Sequence, residues 1–188
     1  MAYPVKEEIL ELIKNFCVSS ATSFEDFCDE SGYSQGSIFY TLGSAYLDKM
    51  AQGKIPCFHN FYLKFYHLLL NAGTDTFGEF DLILLDEAGD VNPVTAAIFE
   101  LLPGKRKVAV GDQFQNIYSF NGTVNYFETA PESAITFSMD KSFRVAEEIA
   151  GRIETFNKKY LSPTSTFRGV PIEDKTIRTT GIITRGNF

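Results

Sequence analysis

Residues 81–90 read Asp-Leu-Ile-Leu-Leu-Asp-Glu-Ala-Gly-Asp, an apolar run that ends in a pair of acids. A short, continuous apolar run bounded by polar residues is typical of a buried strand in a parallel sheet. Open α/β sheets bind their ligands at the carboxyl ends of such strands. We therefore expect a buried strand over residues 81–86 and a ligand-binding edge at Asp86 and Glu87. A strand-end pair that only faces solvent is the simpler alternative for this stretch taken alone.

The chain beyond Asp90 alternates between helical and strand patterns. Asn92 is a typical N-cap, and Pro93 suits the first position of a helix that runs to about Leu102. The other predicted elements are strands over residues 107–111 and 134–139, a helix over residues 144–160, and short β-prone pieces at 176–178 and 181–184. Strand and helix in alternation predict a parallel sheet covered by helices.

The first 75 residues carry helical patterns instead. Ser23 resembles the first residue of a capping box, and Gly53 and Gly73 lie just past the ends of two apolar-periodic segments. The four predicted helices cover residues 5–17, the stretch from Ser23 to before Gly32, residues 37–51 and residues 59–71. We expect an all-helical unit.

The composition is that of a globular protein, with 44% hydrophobic and 22% charged residues. A net charge of −7 argues against a general nucleic-acid coat, although residues 141–188 hold nine Lys/Arg against five Asp/Glu. Three cysteines without metal spacing predict core thiols in a reducing compartment. With no membrane-length apolar run and no signal-peptide pattern, we expect an intracellular protein, cytoplasmic or nuclear, that has no membrane partner.

Three polar clusters follow the three predicted strands. They are Asp86 to Asp90, the stretch Gly-Asp-Gln-Phe-Gln-Asn-Ile-Tyr-Ser-Phe-Asn-Gly at residues 111–122, and Lys-Ser-Phe-Arg at residues 141–144. In one parallel sheet, clusters at the ends of neighbouring strands meet at a single edge. There they would supply a metal ligand, a base, an amide and a cation, which is the set of groups that phosphoryl transfer requires.

In this order the clusters resemble motifs II, III and IV of superfamily 1 helicases of the UvrD/Rep type. The family patterns run DEAQD, then GDxxQSIYxFRGA, then a Tyr/Phe-Arg pair at the start of a helix. Residues 55–64, Ile-Pro-Cys-Phe-His-Asn-Phe-Tyr-Leu-Lys, look most like the eukaryotic F-box DNA helicase branch. Residues 181–187 look like the strand that opens the second RecA-like domain. The resemblance covers about residues 55–188.

The resemblance implies an α/β fold with a partial RecA-like (P-loop NTPase) parallel sheet and an N-terminal all-helical subdomain. It divides the chain into a helical insertion over residues 1–75, the C-terminal half of the first RecA-like domain over residues 76–162, and the start of the second over residues 163–188.

The resemblance also assigns an ATP site. Asp86 would coordinate Mg²⁺, and Glu87 would act as the catalytic base. Gln115 would sense the γ-phosphate of ATP, Arg144 would be the arginine finger, and Phe143 would stack on the adenine. The alternative for Arg144 is a surface charge on a helix.

A DNA-contacting surface is implied in the second cluster. Tyr118, Phe120 and Asn121 would lie on the face that tracks single-stranded DNA, where the rings would stack on bases. Core packing is the alternative for the two aromatic residues. Asn121 stands where the family usually has Arg, and Gly89 stands where it has a Gln that links the ATP site to motif III. Both departures weaken the expected coupling between ATP and DNA.

The 188 residues contain no GxxxxGK[ST] phosphate-binding loop. We therefore expect part of an ATP-dependent DNA helicase or translocase that couples ATP hydrolysis to movement on single-stranded DNA, inactive as an isolated chain. The alternative is a non-catalytic module that binds single-stranded DNA or docks on a helicase segment or subunit that supplies the loop. Without the loop-bearing strand the sheet would have an exposed apolar edge, and we expect either self-association through that edge or a rearranged packing that covers it.

Overall fold

A computed structural model describes residues 3–74, 78–112 and 122–171. The helices in this part are α1 Tyr3–Val18, α2 Phe24–Glu30, α3 Ile38–Ala51, α4 His59–Asn71, α5 Pro93–Leu101, α6 Tyr126–Thr129 and α7 Glu147–Tyr160. The strands are β1 Ile83–Leu85, β2 Lys107–Ala109, β3 Lys141–Ala146 and β4 Arg168–Val170. The chain divides into two compact units, Met1–Glu132 and Ser133–Phe188. No helix within the described segments has the length and apolar character needed to cross a membrane.

The four predicted N-terminal helices are confirmed as α1 to α4. Ser23 caps α2 by accepting a hydrogen bond from the Asp26 amide at 3.2 Å, and Ser37 caps α3 in the same way. Gly53 has a φ of +67° just past the end of α3, where only a residue without Cβ is unstrained. The apolar faces of these helices meet in one core. Its buried members are Ile9, Ile13, Phe16, Cys17, Met50 and Phe61.

A buried lysine joins α4 to the end of α1. The Lys64 ammonium group donates hydrogen bonds to the carbonyl oxygens of Ser19, at 3.1 Å, and Ala21, and it lies 4.1 Å from the centre of the Phe16 ring. Both carbonyls lie in the connection between α1 and α2, so the lysine pairs with backbone acceptors just beyond the end of α1. Burial lowers the pKa of Lys64 to about 8 and raises the pKa of the neighbouring Cys17 thiol to about 12. The prediction of core thiols is confirmed for Cys17 and for Cys28, both of which are buried and unbridged.

The first sheet contains β1 and β2, which pair in parallel with Leu84 opposite Val108. Helix α5 connects the two strands, and the Asn92 side chain caps it by accepting from the Thr95 amide at 2.9 Å. The predicted strand–helix–strand order is therefore confirmed for this unit. Leu85 packs into a core that includes Phe99 of α5.

The prediction of a buried strand over residues 81–86 is correct for Leu85 but wrong for its neighbours. Leu82 and Leu84 are 50% and 66% exposed, and Val108 on β2 is also exposed. The described elements cover only the face on which Leu85 lies, so alternate side chains of the apolar run remain in contact with solvent.

The third predicted strand is misplaced in sequence. Residues 134–139 form no strand, and Ile135, Phe137 and Met139 are 81%, 85% and 79% exposed. The strand is β3, which pairs in parallel with β4 in a separate sheet. Gly169 of β4 permits this pairing, because a Cβ there would lie 2.6 Å from the Val145 carbonyl oxygen.

The helix predicted to start at Arg144 starts at Glu147 instead. Arg144 belongs to β3, and its amide donates to the Ser142 hydroxyl at 3.2 Å. The acidic side chains of Glu147 and Glu148 occupy the first turn of α7, where they interact favourably with the helix dipole.

The described architecture is α/β, with helices and two small parallel sheets. The RecA-like assignment and the domain limits 1–75, 76–162 and 163–188 stay predictions. The β-prone pieces at 176–178 and 181–184 lie outside the described residues.

Candidate nucleotide-binding site

The acidic pair lies at the carboxyl end of β1, directly beside the end of β2. The Val110 amide donates to the Leu85 carbonyl at 2.8 Å, and the Ala88 amide donates to the Val110 carbonyl at 2.9 Å. Asp86 and Glu87 follow Leu85 and are exposed. Gly111, the first residue of the second polar cluster, therefore lies beside the first cluster at one sheet edge.

Glu87 has an unusual backbone conformation. Its φ is +54°, the one positive value of a non-glycine residue in segments 3–74, 78–112 and 122–171. A side chain in this left-handed region costs about 1–2 kcal/mol. Hydrogen bonds on both sides hold the turn: Asp86 Oδ1 accepts from the Glu87 amide at 3.0 Å, and the Glu87 carbonyl accepts from the Asp90 amide at 3.0 Å. Strain that persists because its surroundings enforce it is concentrated at functional sites.

Gly111 brings the end of β2 into contact with this turn. A Cβ at residue 111 would lie 2.7 Å from the Ala88 nitrogen, 3.0 Å from the Gly89 nitrogen and 3.3 Å from the Glu87 carbonyl carbon. All three are backbone atoms, so no side chain can move aside. The glycine that opens the second cluster is thus required by the close approach of two backbones.

The far side of the second cluster returns to the same turn. Val91 and Val124 form an antiparallel bridge, with N···O distances of 2.7 Å and 3.2 Å. The Thr123 hydroxyl donates to Asp90 Oδ1 at 2.5 Å. Neither Asp90 nor Thr123 is among the site residues predicted from the sequence. The sequence did contain one indication: Thr123, which carries a hydroxyl, stands where the family pattern ends in Ala.

Two of the six other predicted site residues are among those that the structure describes. Phe143 and Arg144 belong to β3 in the unit Ser133–Phe188. Phe143 is exposed, and the Lys141 ammonium group lies 5.1 Å from the centre of its ring. The residues predicted to sense the γ-phosphate and to contact DNA are outside the described residues. They are Gln115, Tyr118, Phe120 and Asn121.

The donor set at the sheet edge suits only certain metals. In the segments that the structure covers, no three His, Cys, Asp or Glu side chains are grouped as a metal site. A Zn²⁺ site needs at least three protein ligands of this kind, and the described residues do not bring three together. Mg²⁺ in nucleotide sites takes one or two carboxylates and completes its shell with water and phosphate oxygens. The exposed carboxylate of Asp86 fits that requirement.

Residues 6–132 match the family model of the UvrD/REP helicase N-terminal domain, which covers about two thirds of the chain. The chain belongs to the UvrD/REP helicase family. It is also similar to F-box DNA helicase 1 of Gallus gallus, at 40% identity over 73 residues. That match covers 38% of this chain and 7% of the relative, so the chain spans a small part of that protein's length. No solved structure matches the chain.

The UvrD/REP match includes the acidic turn and both sides of the second cluster. It ends before Phe143 and Arg144, whose assignment continues to rest on the local resemblance alone.

Proposed function

We propose that residues 1–188 are part of an ATP-dependent DNA helicase that couples ATP hydrolysis to movement on single-stranded DNA. The observation that carries the proposal is the left-handed conformation of Glu87, directly after Asp86 at the end of β1. The strained glutamate at this point of a UvrD/REP helicase chain supports a chemical role for its side chain. A glycine would adopt the same turn without the conformational strain.

Asp86 and Glu87 have separate roles in this proposal. The Asp86 carboxylate would hold the Mg²⁺ of a bound nucleotide, which would supply positive charge beside the phosphates. The Glu87 carboxylate orients the attacking water and accepts its proton. Hydrogen bonds on both sides of the Glu87 backbone fix the point from which its side chain extends. General-base catalysis of this kind contributes about 10²–10⁴ to a rate.

The other roles are proposed by resemblance. Gln115 senses the γ-phosphate, Arg144 stabilises charge that develops in the transition state, and Phe143 stacks on adenine. The exposure of Phe143 is compatible with a ligand-stacking role. The proposed DNA contacts are Tyr118, Phe120 and Asn121.

We also propose that residues 1–188 alone do not turn over ATP, since this stretch includes no GxxxxGK[ST] loop. A segment or helicase subunit that carries such a loop is then a partner. The exposed apolar side chains of Leu82 and Leu84 give the first sheet a surface suited to self-association or to covering by such a partner. A cytoplasmic or nuclear location belongs to the same proposal.

The test is Glu87→Gln in the longest natural polypeptide that contains these residues. The amide keeps the shape of the side chain but cannot accept the proton, so DNA-stimulated ATP turnover falls by about 10²–10⁴ while Mg-ATP binding is retained. Glu132→Gln is the matched control, because it makes the same change at an exposed glutamate of the same unit and leaves turnover unchanged.

Parental turnover in Glu87→Gln would show that Glu87 is not the base. A parent protein that binds single-stranded DNA but hydrolyses no ATP would favour the non-catalytic DNA-binding module instead.

A further inference from the structure

Tyr126 connects the acidic turn to the helix that follows it. Its amide donates to the Ala88 carbonyl at 2.9 Å, and its hydroxyl donates to the Glu100 carboxylate near the end of α5. The ring between these two ends packs edge-on against Phe99, with 5.3 Å between the ring centroids. One rigid residue therefore spans the distance from the turn to the far end of α5.

The inner part of this connection is closed to solvent. Tyr126 is 6% exposed and Ala88 is fully buried, and both pack into the core that contains Leu85 of β1. Glu100 is exposed, so its carboxylate reaches the hydroxyl from the surface of α5. Burial and the bond to Glu100 raise the pKa of Tyr126 above its usual value, so the hydroxyl remains a donor. A charged acceptor makes such a bond stronger than one between neutral groups.

Both contacts of Tyr126 restrain Glu87. Ala88 directly follows Glu87, so the hydrogen bond to the Ala88 carbonyl fixes the chain one residue beyond the positive φ. Only Val91 and Asn92 separate the turn at residues 86–90 from α5, and the Tyr126 hydroxyl holds that helix at its other end. A turn held in both ways cannot relax to an ordinary φ without breaking one of these contacts.

We propose that Tyr126 and Glu100 are positioning residues that keep Glu87 in its left-handed conformation and so fix the point from which its carboxylate acts. The inference rests on the proposed function, in which Glu87 is the base. The two residues act through the Ala88 carbonyl and α5, without touching nucleotide. A base must lie within hydrogen-bonding reach of the proton that it removes. A relaxed turn therefore slows the chemical step and leaves nucleotide binding unchanged.

Urea denaturation of the 188-residue chain tests the hold on the turn. Tyr126→Phe removes only the hydroxyl and should lower the equilibrium constant for folding about fivefold, the change expected for one side-chain hydrogen bond. Glu100→Ala removes the acceptor and should have a similar effect. The double variant should lose no more than either single variant, because both substitutions remove the same bond.

The strain at Glu87 gives a second readout in the same chain. Glu87→Gly should raise the equilibrium constant for folding about fivefold in the parent, because it relieves the positive φ. In the Tyr126→Phe background the turn has already relaxed, so the same substitution should gain less than about twofold. A role of Tyr126 in general stability alone would leave the two gains equal.

ATP turnover by the longest natural polypeptide that contains these residues tests the consequence for the base. In Tyr126→Phe, kcat should fall about fivefold while KM for ATP stays within about twofold of the parent. Glu100→Gln keeps an oxygen acceptor and should stay within about twofold of the parental kcat. Tyr33→Phe is the matched control and should keep the parental kcat. The Tyr33 hydroxyl also donates to a glutamate, Glu8, at 2.7 Å, and its ring lies 4.7 Å from that of Phe39, but all three residues belong to the helical region before α4.

Two results would overturn the inference while leaving the proposed function intact. One is an equal gain from Glu87→Gly in the parent and in Tyr126→Phe, since the hydroxyl would then have no hold on the turn. The other is a parental kcat in Tyr126→Phe, in a protein that Glu87→Gln inactivates. A parent that hydrolyses no ATP would instead refute the proposed function, and the positioning of a base with it.

Discussion

Replacing Gly111 by alanine tests the contact on which the candidate site depends. The new Cβ would lie 2.7 Å from the Ala88 nitrogen and 3.0 Å from the Gly89 nitrogen. Since both neighbours are backbone atoms, the turn itself must move. Overpacking of this kind costs about 1–3 kcal/mol. The reduced freedom of the unfolded chain returns about 0.4–1 kcal/mol, so we expect a net loss of about 1–2 kcal/mol in the free energy of unfolding.

Urea denaturation followed by circular dichroism and tyrosine fluorescence measures this loss, and the chain suits the second method because it has nine Tyr and no Trp. Gly36→Ala is the matched control: nothing lies within 4 Å of its Cβ position. The control should be as stable as the parent or more stable, by up to about 1 kcal/mol.

Equal stability of Gly111→Ala and Gly36→Ala would refute the reasoning. In that case the end of β2 would not approach the acidic turn as closely as described.

Two further predictions concern strain and burial. Glu87→Gly should raise the free energy of unfolding by about 1 kcal/mol, because glycine adopts a φ of +54° without strain. Glu87→Ala keeps a Cβ and should not raise it. Equal effects of the two substitutions in a denaturation experiment would contradict the strain at Glu87. Burial and the neighbouring Lys64 charge lower the pKa of His67. The unfolded chain then binds a proton near pH 6.5 that the folded chain binds only at lower pH, so stability falls as pH drops below 6.5, by up to about 1.4 kcal/mol per pH unit. The free energy of unfolding, measured by denaturation at several pH values between about 5 and 7, should depend less on pH in His67→Gln than in the parent. His59→Gln, a change at an exposed histidine, should keep the parental pH dependence. An unchanged pH dependence in both variants would count against the buried His67.

Local signals in the sequence predicted much of the first unit. Ser23 and Asn92 cap helices as their side chains indicated, because a cap needs only backbone amides two or three residues away. The position of Asp86 and Glu87 at the end of β1 was predictable for a similar reason, since a strand and the acid pair that follows it are contiguous in sequence.

Features that depend on distant partners were missed. The apolar alternation of residues 134–139 gave no sign that β3 would form later in the chain, where β4 supplies the glycine that permits close pairing. Likewise, the bond between Asp90 and Thr123 joins residues that are 33 positions apart. Periodicity cannot reveal such contacts, because tertiary packing decides which of several extended segments becomes a strand.

The enclosure of Lys64 has a consequence for chemical labelling. Its amine is held by carbonyl oxygens at the end of α1 and shielded by Phe16, and the thiol of Cys17 is buried nearby. Surface lysines meet an amine-directed reagent at once, whereas Lys64 meets it only when α4 separates from α1. Cys17 has the same dependence toward a thiol-directed reagent. The chain thus carries two chemically independent natural reporters of the opening of its helical core.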